Sequence, residues 1–138
     1  MSIDLSDSPQ PSGAAPDLGV AVVLAADQPN DLAGFYGSLL EQAPQRGSGP
    51  NHCRLPLPQG GWLEVYRPSQ ARPQPRQRGR LALCLQRKGG WPELQAWIER
   101  AQSLGAQLLD GPRQEPFGVE AWLLDPEGNG LLLLVYGP

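Results

Sequence analysis

The chain has 138 residues, of which 40% are hydrophobic and 18% are charged, and these values fit one globular domain. Its formal net charge of −3 gives no basis for a nucleic-acid or acidic-membrane partner. No apolar run reaches the ~18 residues of a membrane span, and the N-terminus lacks the regions of a secretory signal. We therefore expect a cytoplasmic protein whose two cysteines, Cys53 and Cys84, are reduced and buried thiols.

The N-terminal part of the chain predicts a disordered tail over residues 1–17, which are rich in Ser, Pro, Asp and Gly. A single domain is expected over 18–138. It begins with an apolar run, Val20 to Ala26, that predicts a buried strand. A helix with Asp27 as its N-cap is predicted next, because apolar residues recur at helical spacing. These residues are Leu32, Phe35, Tyr36, Leu39 and Leu40.

Two strands are predicted next. His52 to Leu57 is typical of a short edge strand, where proline is tolerated. Trp62 to Tyr66 alternates, so that Trp62, Glu64 and Tyr66 share one face. Residues 67–79 contain four arginines among prolines and glutamines, and predict either a solvated linker or an anion-binding arm.

The second half repeats this pattern. A strand is predicted over Arg80–Gln86, and a helix follows from Pro92 to a C-terminal Gly105. A short strand at 106–109 and a loop at 112–116 precede the last hairpin, whose two apolar strands flank the turn Asp125–Asn129.

The two halves, about 18–67 and 79–137, therefore share a βαβββ plan within an α+β fold. Two helices cannot cover both faces of about eight strands. We expect a curled mixed sheet with both helices on its convex side. Its concave face would be open to a small molecule.

Five stretches in this order resemble the vicinal oxygen chelate (VOC) superfamily, which includes glyoxalase I, extradiol dioxygenases, and the fosfomycin- and bleomycin-resistance proteins. They are Ala21–Asp27 with Phe35-Tyr36, Leu63–Val65, Gly79–Leu83, Leu104–Ala106 and Asp125–Asn129. The resemblance implies paired βαβββ modules, a homodimer, and a divalent metal held on the concave face by His and Glu side chains from four strands.

The metal-ligand positions that the resemblance implies fall on Ala21, Glu64, Arg80 and Leu132. Only Glu64 offers a metal donor, because alanine and leucine have none and arginine stays protonated. We therefore expect no metal and no cofactor. Instead, Glu64 and Arg80 are expected to form an ion pair. This pair could be a purely structural salt bridge that fills the site. Alternatively, Arg80 binds an anionic or carbonyl-bearing ligand, or Glu64 acts as a catalytic base.

Other side chains on the inward face are candidates for ligand contact. Three aromatic residues are expected to form either a wall for a planar ligand or part of the core: Trp62, Tyr66 and Tyr136. Trp122 belongs to this group if strand alternation in the last hairpin places it on the same face. His52 is expected to be an edge residue, with a metal or catalytic role as the alternative. Cys84 is expected to be a buried, inert thiol rather than a nucleophile, because no base accompanies it.

These expectations favour a glyoxalase- and bleomycin-resistance-like protein that binds a small molecule without a metal ion. The alternative is a metal-dependent lyase or dioxygenase with a rearranged site that uses Glu64 and His52. A third reading is an interaction subunit whose pocket is filled by its own side chains.

Overall fold

The computed structural model describes residues 18–137, so the tail predicted over residues 1–17 lies outside the described part of the chain. Eight strands and two helices follow one another in chain order. They are β1 (Ala21–Ala25), α1 (Pro29–Leu40), β2 (Gln45–Arg46), β3 (His52–Pro56), β4 (Trp62–Tyr66), β5 (Leu83–Lys88), α2 (Trp91–Ser103), β6 (Gln107–Glu115), β7 (Gly118–Leu124) and β8 (Gly130–Tyr136).

The strands form two four-stranded sheets with the same topology. Their orders are β1-β4-β3-β2 and β5-β8-β7-β6. In each sheet the first strand pairs in parallel with the last strand of its half, and the other pairs are antiparallel. The predicted α+β fold of paired βαβββ modules is therefore confirmed. No helix among the described residues is long and apolar enough to cross a membrane.

Each helix packs on the sheet of its own half, α1 on β3 and β4 and α2 on β6, β7 and β8. Their predicted apolar stripes are buried, with Tyr36 and Leu94 fully enclosed. Every second residue of the strands, for example Leu63 and Leu133, packs against these helix residues and belongs to the same hydrophobic core. Because successive strand residues point to opposite faces of a sheet, the other side chains of each strand lie on the face without a helix.

The start of β5 differs from the sequence prediction. The strand begins at Leu83, and Arg80 lies exposed in the segment before it. The cause is the length of the partner strand, because Leu83 pairs with Leu131 and β8 begins only one residue earlier, at Gly130. Residues before Ala82 therefore have no partner on β8 to hold them in the sheet.

β6 is longer than predicted. It runs over Gln107–Glu115 and includes most of the stretch predicted as a loop. Its register with β7 shifts twice, between Leu108 and Asp110 and between Asp110 and Arg113. Such irregularities at the edge of a sheet accommodate a proline, here Pro112, without ending the strand.

Candidate functional site

A polar cluster lies on the helix-free face of the first sheet, where β3 and β4 pair. The antiparallel register places Arg54 opposite Glu64 and His52 opposite Tyr66. On the other face, Leu55, Leu63 and Val65 are buried under α1. Strand alternation therefore sends the charged side chains of both strands to the open face.

Glu64 is at the centre of this cluster. Its Oε1 lies 2.6 Å from His52 Nε2, and its Oε2 accepts a hydrogen bond from Arg54 Nη2 at 2.9 Å. The Arg54 guanidinium also stacks on the Trp62 ring, 3.8 Å from its centroid. With a side chain 19% exposed, Glu64 is held in place but still accessible from the open face.

The His52 ring is fixed from the opposite side by a tight turn. The Ser48 backbone N–H donates to His52 Nδ1 at 2.8 Å, and the Ser48 hydroxyl lies 3.2 Å from the same nitrogen. Since Nδ1 accepts, the ring proton is on Nε2, which donates to Glu64. A Cβ added at Gly47 would lie 2.0 Å from Nδ1, so only glycine leaves room for the ring.

The cluster borders a cavity of about 530 Å³, a volume typical of small-molecule sites. Glu64 and His52 supply polar groups, and Val23, Tyr66 and Pro50 supply apolar surface. The remaining lining residues come from the turn before β3 and the end of β4: Ser48, Gly49, Asn51 and Arg67. The open face of the first sheet is thus a concave site with both polar and apolar walls.

The structure brings together only some of the residues that the sequence analysis selected. Glu64 and Tyr66 line the cavity, and Trp62 lies on the same face beneath Arg54. Arg80 and Tyr136 are not among its lining residues. Tyr136 ends β8 in the second sheet, where it is 38% exposed.

The expected ion pair between Glu64 and Arg80 is not formed. The Glu64 carboxylate binds Arg54 and His52 instead, and Arg80 precedes β5. Arg54 and Ser48 were not predicted as site residues, and His52 was predicted without a partner. The sequence does contain a signal for Arg54, because β3 and β4 form a hairpin whose midpoint is Gln59. Counting the same number of residues outward in both directions places Arg54 opposite Glu64.

The same face of the second sheet has a different chemistry. Cys84 lies opposite Leu132, and Gln86 lies opposite Leu134. Partial burial raises the pKa of the Cys84 thiol, outweighing the Gln86 hydrogen bond, so the thiol stays protonated at neutral pH. Both cysteines are free thiols, as predicted, and Cys53 is buried. The prediction that Cys84 is also buried is wrong, because this residue lies on the edge strand β5 and is exposed.

The residues at the implied metal positions do not fit a divalent cation. Ala21 and Leu132 carry no donor atom, and the Glu64 oxygens are engaged by His52 and by the Arg54 guanidinium, whose charge would repel a metal. Residues 18–137 hold no group of three His, Cys, Asp or Glu side chains placed to bind a metal ion.

A second carboxylate network lies between the two halves, in the turn Asp125–Asn129. Asp125 Oδ1 accepts the backbone N–H groups of Glu127 and Asn129 at 2.8 and 3.0 Å. Its Oδ2 accepts the Tyr36 hydroxyl at 2.7 Å. Burial, followed by the nearby Asp125 charge and this hydrogen bond, raises the pKa of Tyr36 far above its ordinary value.

Glu127 extends this network to the start of α1. Its carboxylate accepts the backbone N–H groups of Asp27 and Gln28 at 2.7 and 2.8 Å. The prediction that Asp27 caps α1 is therefore wrong, because Gln28 is the N-cap residue and the carboxylate comes from the other half. Arg76 of the linker donates to the Asp27 side chain at 2.7 Å. The turn that carries the resemblance thus joins the two halves.

Comparisons with known proteins agree with this architecture. A structure of a glyoxalase-related enzyme from Fulvimarina pelagi is similar, with a TM-score of 0.72 and 20% identity over 86% of this chain and 88% of that one. A glyoxalase/bleomycin resistance protein from Albidiferax ferrireducens gives 0.64 and 18%, covering 85% and 97%. A genomically encoded fosfomycin resistance protein from Listeria monocytogenes gives 0.66 and 14%, covering 88% and 92%.

These identities are low, so the three likenesses establish a shared fold. A comparison with curated proteins found no match. The family model described as "glyoxalase-like domain" matches residues 21–134, which is most of the chain. On this match and on the paired βαβββ modules, the chain belongs to the glyoxalase-like domain family.

Proposed function

We propose that this protein binds a small molecule, without a metal ion, in the cavity on the open face of the first sheet. The observation that carries the proposal is the His52–Glu64 pair at 2.6 Å on the wall of a 530 Å³ cavity. A buried or half-buried polar pair beside apolar surface fixes the orientation of a ligand, while the apolar walls supply most of the contact area.

The absence of a resident metal is the second part of the proposal. Arg54 occupies the position beside Glu64 that a cation would need, and it is itself stacked on Trp62. The His52–Glu64 pair also supports the alternative of a metal-dependent lyase or dioxygenase, because it offers two donor atoms. Metal analysis of the purified protein separates the two. Stoichiometric Zn, Ni, Fe or Mn that disappears in Glu64→Gln would contradict metal-free binding.

Phenol is a suitable probe for the ligand site, because it combines a flat ring with one hydrogen-bond donor. Titration of ¹⁵N-labelled protein with phenol should shift the amide signals of Val23, His52 and Tyr66. Tyr66→Ala should weaken phenol binding, since it removes the aromatic wall. The matched control is Tyr136→Ala, which changes a tyrosine outside the cavity. Shifts confined to the second sheet, or none, would contradict the proposal.

We also propose that the protein is a homodimer. The support is large apolar side chains left in contact with solvent in the single chain, including Val23 and Leu81, which both line a smaller cavity between β1 and the segment before β5. Leu81 is 88% exposed. Sedimentation velocity should give the mass of two chains, and Leu81→Asp should shift it towards one. A monomer at all concentrations would contradict this proposal.

A further inference from the structure

A second cavity, of about 540 Å³, lies between the two halves of the chain, beside the free edge of β5. Among the described residues, it shares no lining residue with the cavity on the first sheet. The first half contributes the end of α1 and the turn between β3 and β4, and the second half contributes β5 and Trp97 of α2. A ligand in this cavity would therefore contact both halves.

The second half places a cationic group at this cavity. Strand alternation puts Arg87 on the same face of β5 as Leu85, which is buried in the core. The Arg87 guanidinium lies over the Trp97 ring, 4.9 Å from its centroid, and both residues line the cavity. Because a stacked guanidinium uses its face, the N–H groups on its edge are available to a carboxylate. The pKa of Glu93 is lowered mainly by a backbone N–H at the start of α2 and, less strongly, by the Arg87 charge.

The first half places a carboxylate at the same cavity. Glu41 lines it and is the C-cap residue of α1, where its backbone N–H donates to the Gly37 carbonyl. Within residues 18–137, neither Glu41 nor Arg87 takes part in an ion pair. The cavity therefore carries one anionic and one cationic side chain, which come from different halves and do not pair with each other.

The cavity also has apolar surface. Leu39, Leu40 and Leu57 line it together with the Trp97 ring. Leu39 and Trp97 are only 8% and 7% exposed, so packing in the core holds them in place. A volume of this size is typical of small-molecule sites. A ligand that matches the whole lining combines an apolar group with two opposite charges.

From these contacts we propose that this cavity is a second binding site, which takes a small zwitterion with an apolar side chain, such as an aromatic or aliphatic amino acid. Arg87 binds its carboxylate, Glu41 binds its ammonium group, and the leucine and tryptophan side chains contact its apolar part. The ligand differs from that of the cavity on the first sheet. Phenol carries neither charge and is not expected to occupy the second site.

Three probes that share a phenyl group separate the two charges. They are L-phenylalanine, 3-phenylpropanoate, which lacks the ammonium group, and 2-phenylethylamine, which lacks the carboxylate. L-Phenylalanine should bind about fivefold more tightly than either, the upper range for ion pairs at exposed side chains such as Arg87 and Glu41. Both preferences should decline with added salt. In ¹⁵N-labelled protein, the amide shifts caused by L-phenylalanine should centre on Glu41, Arg87 and Trp97.

Two variants test the two charged side chains one at a time. Glu41→Gln should remove the preference for L-phenylalanine over 3-phenylpropanoate and keep the preference over 2-phenylethylamine, and Arg87→Gln should do the reverse. The matched controls are Glu99→Gln and Arg100→Gln, which change exposed residues of α2 outside the cavity and should keep both preferences.

The wild-type comparison of the three probes needs no variant. Equal affinities for the three probes, shifts centred on the cavity of the first sheet, or preferences that survive both variants would overturn the inference. No binding of any of the three probes would overturn it as well. None of these results bears on phenol binding to the first sheet, so the proposed function stands or fails separately.

Discussion

Two carboxylate networks in this protein have similar hydrogen bonding but different surroundings. Glu64 binds His52 and Arg54 beside an open cavity. Asp125 is only 3% exposed and is enclosed between the two halves. The partners of Asp125 are mainly donors of its own turn, whereas those of Glu64 both come from the neighbouring strand β3 and leave one side of it open. Hydrogen bonding alone therefore does not distinguish a carboxylate that can meet a ligand from a structural one, whereas access to a cavity does.

The Asp125 network should contribute most to stability. Asp125→Ala would remove the acceptor of five hydrogen-bond contacts, made by four donor groups, and leave the fully buried Tyr36 hydroxyl without a partner. We expect the free energy of unfolding to fall by about 3 kcal/mol or more, because buried unsatisfied groups are costly. Urea unfolding measures this value. Asp110→Ala, an exposed carboxylate paired with Arg113, is the control and should cost about 1 kcal/mol or less. Similar losses of unfolding free energy in Asp125→Ala and Asp110→Ala would contradict the claim that the enclosed network stabilises the protein more than an exposed ion pair does.

The position of His52 can be disturbed without changing a charged residue. Gly47→Ala places a methyl group against the ring, so the protein should lose about 1–3 kcal/mol of stability and the imidazole should shift away from Glu64. The matched control is Gly49→Ala, whose added Cβ would meet no atom within 4 Å. Histidine ring signals in NMR spectra report the change. Unchanged ring signals in Gly47→Ala would contradict the described packing of the site.

Tyr36→Phe tests the enclosed network from its other side. Removing the hydroxyl should cost about 1 kcal/mol at neutral pH, because Asp125 keeps its other donors. The pH dependence has a defined sign. The pKa of Tyr36 is raised in the folded state above its ordinary 10.0, so the stability linked to it is fully present below pH 10 and declines above that value. Unfolding measured from pH 8 to 11 should show a steeper decline for the wild type than for Tyr36→Phe, and parallel curves would contradict this.

Glu64→Gln should have the smallest effect on stability. Its partners His52 and Arg54 are themselves 25% and 34% exposed, so solvent screens both ion pairs. We expect a change of about 1 kcal/mol or less in the free energy of unfolding. Binding of phenol should nevertheless weaken, because an amide presents a donor where the carboxylate accepted. A loss of stability as large as that of Asp125→Ala would show that Glu64 is mainly structural.

The fold could be predicted where the signal is local. The turn Asp125–Asn129 and the apolar stripes of α1 and α2 depend on residues a few positions apart, and all three are found in the structure. Two of the mispredicted ends depend on distant residues. The start of β5 is set by the length of β8, and the α1 N-terminus is stabilised by Glu127, which lies 100 residues from Asp27.

The candidate site was predicted less well than the fold. Glu64 and Tyr66, which were predicted to contact a ligand, both line the cavity, because strand alternation assigns them to one face. The partner of Glu64 was wrong because it was sought on β5, in the other half, rather than across the nearest hairpin. Arg54 and His52 come from β3, and their approach to Glu64 follows from the register of β3 with β4.

The central claim is that the cavity on the first sheet, and not the second sheet, receives the ligand. The most direct test is chemical-shift mapping of ¹⁵N-labelled protein during titration with phenol. Saturable shifts are expected at Val23, His52 and Tyr66, and they should be reduced in Tyr66→Ala and unchanged in Tyr136→Ala. Shifts centred on Cys84 and Gln86, or no saturable shifts up to millimolar probe, would contradict it.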